Sequence, residues 1–211
     1  MEAPLIGLSR HRISVDGEGV TTLVAFHGCP LRCRYCLNAQ CLLPDGISRT
    51  ITPEQLLDEC MLDDLYFQAT GGGITFGGGE PLLRSLFIEA FARIAPPAWH
   101  ITVETSLNVA HHHLERVQPY ISQYIVDVKD MNAAIYRAYT TRDNATTLGN
   151  LQWMAANGMA DKVHIRLPEI PDYNTIADID KSQKTLEAMG FHDFERFTYI
   201  KDVDAYKRAS R

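Results

Sequence analysis

Residues 21–38 read TTLVAFHGCPLRCRYCLN, in which a run of β-branched and apolar residues passes directly into Cys29, Cys33 and Cys36 on one short loop. TTLVAF has the composition of a buried strand bounded by a glycine. The cysteine loop therefore begins where a strand ends. In an α/β protein the carboxyl ends of the strands are where ligand-binding groups gather.

The rest of the chain repeats that unit. Thr52, Pro53 and Gln55 have the form of a capped helix start, with Leu56, Leu57, Cys60 and Met61 on one face. GITF (73–76) follows as a second strand. After Pro81, residues Leu83, Leu86, Phe87, Ala90, Phe91 and Ile94 recur at helical spacing and stop before Pro96 and Pro97. ITVET (101–105), YIVDV (124–128), VHIRL (163–167) and RFTYI (196–200) supply four more strands, and residues 175–189 a helix closed by Gly190. Six strands alternating with helices predict βαβ units, right-handed crossovers and a mainly parallel sheet. No linker, repeat or low-complexity segment interrupts this α/β pattern, so a single domain over residues 1–211 is expected.

Composition narrows the chemistry. With 20 Lys and Arg against 26 Asp and Glu, the net charge of −6 opposes an electrostatic nucleic-acid footprint. The N-terminal residues carry no apolar stretch resembling a signal peptide, and no segment approaches the roughly 20 apolar residues of a membrane span. A cytoplasmic location is the resulting expectation. Thiols are kept reduced there, and clustered ones more often bind metal or act in catalysis than form disulfides. Three of the five cysteines lie within residues 29–36.

Three thiolates on one loop can hold one corner of an iron–sulfur cube and leave a fourth iron without a protein ligand. The plainer alternative is structural zinc, completed by Cys41 or His27. Cys60 sits on an apolar helical face as a small hydrophobe, and Cys41 is left open. If each strand ends as expected, GGGEP (77–81), Glu104 with Thr105, Asp127 with Lys129, and Arg166 project into the same mouth as the cysteines.

The C-x3-C-x2-C spacing with Tyr35 directly before the last cysteine resembles the signature loop of radical SAM enzymes. FHGCPLRCRYCLN as a whole is similar to the corresponding stretch of glycyl-radical-enzyme activating enzymes, the group typified by pyruvate formate-lyase activating enzyme. DGEG (16–19) resembles that group's DGPG lead-in. The resemblance implies a partial (β/α)6 barrel and one [4Fe-4S] cluster on Cys29, Cys33 and Cys36. It also implies reductive cleavage of S-adenosylmethionine (SAM) to methionine and a 5'-deoxyadenosyl radical. The radical would take hydrogen from a backbone glycine of a partner glycyl radical enzyme, with flavodoxin or ferredoxin as electron donor.

By the same resemblance Tyr35, Gly78, Gly79 and Glu80 join the cofactor-binding set, the last three as the "GGE" element that receives the SAM amino group. A glycine turn needed only for strand exit is the plainer reading. Glu104 and Thr105 match the Asp-Thr of the family's third strand, and Asp127 with Lys129 its DLK element. These positions imply a monovalent-cation site beside the SAM carboxylate, with Lys129 as a point charge. Helix capping by Thr105, Ser106 or Asp130 competes with that role. Arg166, in HIRLPEIP, resembles IRxPxIPG, which implies a ligand-facing guanidinium rather than an ion pair, and NATTLGN (144–150) is a weaker echo of the family.

His111, His112 and His113 point in different directions on a helix and read as solvated, and Tyr199 as core. The family's "LPYH" element is absent around FTYIKD, where Ile200 or Lys201 occupies its place, and no auxiliary cluster is expected between Cys41 and Thr52. Two other functions fit the same residues. One is a radical SAM enzyme acting on a small molecule or peptide, like 7-carboxy-7-deazaguanine synthase. The other is a zinc-stabilised binding module without catalysis.

Overall fold

The expected strands pair as a parallel sheet, with two further strands at one edge. In the computed structural model, which describes residues 1–199 and 201, the elements run β1 (Ala3–Ile13), β2 (Val20–Phe26), β3 (Arg49–Ile51), α1 (Pro53–Cys60), α2 (Asp64–Thr70), β4 (Gly73–Gly78), α3 (Ser85–Ile94), β5 (His100–Thr105), α4 (His111–Val117), β6 (Gln123–Asp127), α5 (Ala133–Thr140), α6 (Ala145–Ala156), β7 (Val163–Glu169), α7 (Ile176–Ala188) and β8 (Asp193–Thr198). The sheet order is β3-β1-β2-β4-β5-β6-β7-β8. From β2 to β8 every pairing is parallel, whereas β1 runs antiparallel to both β2 and β3. The architecture is α/β, an open sheet of six parallel strands consistent with a partial (β/α)6 barrel.

Local signals account for the helices. The Thr52 hydroxyl accepts from Gln55 N, and Gln55 Oε1 accepts from Thr52 N, so α1 opens on a complete capping box with Pro53 in its first turn. Only Leu56 and Cys60 of the expected apolar face are buried, with Pro53 beside them, and Met61 lies exposed. A 3-10 turn over Pro81–Arg84 precedes α3 and shifts its phase, so Leu83 and Leu86 face solvent while Phe87 and Phe91 turn inward. Thr175 and Asp178 form the capping box of α7.

Alternation along the strands separates two environments. Phe26 stacks on Phe76 at 5.5 Å, and Phe87 and Phe91 close on that pair edge to face at 5.4 and 5.5 Å. Burying each such ring contributes roughly 1.5–3 kcal/mol. The opposite pleat carries small or polar residues. Here Thr75 Oγ1 donates to the carbonyl of Asp16, and a Cβ on Gly17, whose φ is +132°, would lie 3.1 Å from Thr102 Oγ1. The DGEG loop therefore floors the barrel interior near the amino ends of β4 and β5, away from the cysteines.

β8 begins three residues earlier than RFTYI and ends at Thr198. Tyr199 leaves the strand, and Ile200 lies outside the described residues.

Candidate active site

The cysteine loop is held at each end and in the middle. Gly79 N donates to Phe26 O at 2.9 Å and Glu80 N to Gly28 O at 2.8 Å, which lays GGGE against the start of the loop. That approach requires glycine, because a Cβ on Gly79 would stand 2.2 Å from Gly28 O. Arg32 N and Arg34 N donate to the carbonyls of Thr140 and Tyr139 at the end of α5, and Arg142 Nε reaches Pro30 O at 3.0 Å. Asn38 Nδ2 donates to Gly78 O at 3.0 Å, and Gly28 N to Cys41 O at 2.9 Å.

Beneath this loop lies a small cavity open to solvent. Its lining brings together Cys29, Cys33, Cys36, Gly78, Gly79, Glu104, Thr105, Asp127 and Lys129 from the sequence-derived set, together with Asn38, Cys41, Ser106 and Tyr199. Burial pushes the Cys29 thiol up to about 12 and the Cys33 thiol up to about 11, the latter despite the neighbouring Lys129 cation. Loading a metal therefore has to displace protons.

The donor set fits an iron–sulfur cluster. Its soft sulfurs border one cavity, faced by two glycines without side chains. A single ion needs every donor near one point. Among the described residues no three His, Cys, Asp or Glu side chains converge in that way. A cube spreads its ligands over separate irons. His27, the other candidate for zinc, has Nε2 2.7 Å from Leu43 O.

Several of the expected site residues have protein partners. The Glu80 carboxylate is 1% exposed and does not line the cavity. It accepts from Thr105 Oγ1 at 2.6 Å, Ser106 Oγ at 2.7 Å, Ser106 N at 2.9 Å and Leu82 N at 3.2 Å. Burial outweighs these donors and holds its pKa above the ordinary carboxylate value. The carboxylate pins the turn after β5 and caps the turn before α3, which leaves the glycine backbone as the exposed part of the motif.

Tyr35 also has partners within the chain. Its hydroxyl donates to Asp172 Oδ2 at 3.0 Å and its ring packs 5.9 Å from Tyr173 and 6.0 Å from Tyr139, outside the cavity lining. Arg166 forms ion pairs rather than facing the cavity. It contacts Glu104 Oε1 at 2.7 Å and Glu195 Oε2 at 3.0 Å, and donates to Val15 O at 2.9 Å. It borders a second cavity with His164, Gln123 and Glu195.

The expected cation ligands reach the mouth already partnered. Glu104 pairs with Arg166, Thr105 donates to Glu80, and Asp127 accepts from Lys129 Nζ at 2.9 Å. Burial and then the nearby Asp127 charge raise Glu104 to about 7, only partly offset by Arg166. Lys129 is 5% exposed and sits 5.3 Å from the centre of the Tyr199 ring. Burial alone would lower its pKa, but Asp127, Tyr199 and Cys33 hold it well above the ordinary lysine value.

Tyr199, expected in the core, therefore roofs the cavity. Asn38 and Ser106 were also missed, since each acts through a partner distant in sequence and neither belongs to a spacing pattern. Thr105 and Asp130 do close local turns, accepting from Leu107 N and Asn132 N. His111 contacts Asn150 and His113 contacts Ser85, so these two imidazoles turn to different partners.

Comparison with known proteins agrees with this geometry. The family model described as the radical SAM superfamily matches residues 23–182. The pyruvate formate-lyase-activating enzyme of Staphylococcus aureus strain USA300 is 30% identical over 172 residues, covering 78% of this chain and 68% of that protein. Streptococcus suis SuiB bound to S-adenosylmethionine superposes with a TM-score of 0.63 at 12% identity, over 84% of this chain and 42% of SuiB. A radical SAM methyltransferase from Sphaerobacter thermophilus gives 0.54 at 16% identity, over 96% of this chain and 79% of its own. The chain thus spans about two fifths of SuiB, and at such identities the structures share the fold. Among the described residues no helix is long and apolar enough to cross a membrane. A cysteine loop on a parallel α/β sheet, a family match over most of the chain and a 30% identical activating enzyme together place this chain in the radical SAM superfamily, as a member resembling the glycyl-radical activases.

Proposed function

We propose that this radical SAM enzyme activates a glycyl radical enzyme, with Cys29, Cys33 and Cys36 holding the cluster. The observation that carries the assignment of ligands is the single cavity bordered by all three thiols and by Gly78 and Gly79. When bound, a [4Fe-4S] cluster supplies one electron to the SAM sulfonium, so that the carbon–sulfur bond breaks to methionine and a 5'-deoxyadenosyl radical.

The chain's own residues bind and orient. The carbonyls of the GGG turn offer acceptors to the SAM ammonium, with Asn38 fixing the Gly78 carbonyl. Lys129 keeps further N–H donors beyond its bond to Asp127 and offers them to the SAM carboxylate. Tyr199 shields that ammonium from water and so strengthens its field. Support for the protein substrate is the 30% identity to an activating enzyme and the FHGCPLRCRYCLN and DGEG segments. In this reading a loop of the partner presents its backbone glycine at the mouth, with flavodoxin or ferredoxin as the source of the electron.

The test is anaerobic reconstitution followed by incubation with SAM and a strong reductant. The reading predicts 5'-deoxyadenosine, and a glycyl doublet by electron paramagnetic resonance once a cognate partner is added. Formation of 5'-deoxyadenosine with no doublet on any glycyl radical enzyme from the same organism would move the assignment to a small-molecule or peptide substrate.

A further inference from the structure

We propose that Cys41 is the resolving thiol of a reversible redox lock, closing a disulfide with Cys36 when the loop is without its cluster. The chain turns after Cys36, and Cys41 N donates to Asn38 O at 2.8 Å, so the 3-10 turn Ala39–Leu42 carries Cys41 back toward Cys36. Five residues apart across that turn, both thiols border the cavity that Cys29 and Cys33 line. Gly28 N holds the Cys41 carbonyl, which fixes the position of its thiol against the loop. Cys60, the last residue of α1, is buried in the core away from this cavity and takes no part.

Exposure sets the order of events. Cys36 is partly exposed, whereas Cys41 is 1% exposed. A peroxide therefore meets Cys36 first. The Cys36 sulfur attacks one peroxide oxygen, the O–O bond breaks, and water leaves behind a sulfenic acid. The Cys41 sulfur then attacks that sulfur, the S–O bond breaks, and a second water departs. Two thiols have lost two protons and two electrons, and hydrogen peroxide has been reduced to two waters. The sulfenic acid is captured before it proceeds to the irreversible sulfinic acid, and a dithiol reductant reopens the pair by exchange. That the lock removes a cluster ligand rests on the function proposed above. The disulfide chemistry does not.

Peptide mapping separates the two. Trypsin cuts after Arg12, Arg32, Arg34 and Arg49, so Cys29 falls in peptide 13–32, Cys33 in 33–34, and Cys36 with Cys41 in 35–49. Cluster-free protein is treated with one equivalent of hydrogen peroxide, alkylated with iodoacetamide and digested. The lock predicts peptide 35–49 lighter by two hydrogens, closed to alkylation and restored by dithiothreitol. Iron and sulfide uptake should be blocked before that reduction and recovered after it. In Cys41→Ser, where no disulfide can form with residue 41, two equivalents of hydrogen peroxide should carry Cys36 through sulfenic to sulfinic acid, with no recovery of iron uptake on adding dithiothreitol. A linkage joining peptide 35–49 to 13–32 or 33–34, or a wild-type peptide 35–49 whose thiols both remain open to alkylation, would overturn the proposal. These readouts hold whether or not the loaded protein cleaves SAM.

Discussion

Two regions of the barrel interior are built from opposite materials. Where β2 and β4 end, the wall is sulfur and glycine, and its backbone groups and thiols face an open cavity. Across the sheet, β5 to β8 present charge, and almost every charge has a protein partner. Arg166 lies between Glu104 and Glu195, Lys129 meets Asp127, and His164 lies 3.0 Å from Asp193 and 3.2 Å from Glu195. The first region keeps its binding capacity for something absent from the chain. The second largely satisfies itself, with Lys129 bridging the two. A motif residue is thus available to a ligand only where folding has not already supplied its partner.

The largest effect that tests this contrast comes from Cys33→Ala. Bound iron should fall to background and 5'-deoxyadenosine to the level seen without enzyme, while Arg166→Met should retain its iron. Equal loss of iron in both variants would erase the distinction between the regions. Next comes Glu80→Ala, which strips the acceptor from Thr105, Ser106 and Leu82. We expect a loss of about 2–4 kcal/mol in urea unfolding of the cluster-free chain, with Glu80→Gln milder because it keeps one acceptor oxygen. If Glu80→Ala weakened SAM binding and left stability unchanged, the carboxylate would belong with the ligand-binding region after all.

The pH dependence sharpens the charged side. Glu104 is held at about 7 against an ordinary value of 4.5, so over that interval the native chain keeps a proton that the unfolded chain has released. Its contribution to stability is therefore complete below pH 4.5, declines as pH rises and levels off above 7. The decline should be on the order of 1–3 kcal/mol. Glu104→Gln should flatten that slope, measured as the difference between wild-type and variant unfolding curves. An identical slope in both would mean that Arg166 fully compensates the charge.

The smallest effect is expected for Tyr35→Phe, which removes one exposed hydrogen bond to Asp172. Stability in urea unfolding should fall only slightly, with iron content unchanged. A large loss of SAM binding instead would return Tyr35 to the cofactor site.

What the sequence disclosed follows the same division. TTLVAF, the Thr52–Gln55 box and the glycine exit of GGGEP are legible because their determinants lie within a few residues of one another. β1 is not, because only Ala3 and Leu5 of its strand are fully buried and two register shifts interrupt its pairing with β2. Of the α3 stripe, Phe87 and Phe91 are buried as the spacing implies while Leu83, Leu86 and Ile94 are exposed, since the 3-10 turn before the helix resets the phase without changing the hydrophobic spacing. Within the site, the cysteine spacing is local and readable. The fates of Glu80, Arg166 and Tyr35 depend largely on partners 25 to 151 positions away, which no periodicity encodes. An aromatic near a strand end usually packs in the core, so the sequence alone does not place Tyr199 at the mouth beside Lys129.

The central claim is that the three neighbouring thiols hold an iron–sulfur cube. Metal and sulfide analysis of protein reconstituted under strict exclusion of oxygen tests it most directly. About four irons and four sulfides per chain are expected for one cube, lost together in Cys33→Ala. Zinc at one equivalent, with neither iron nor sulfide, would contradict it.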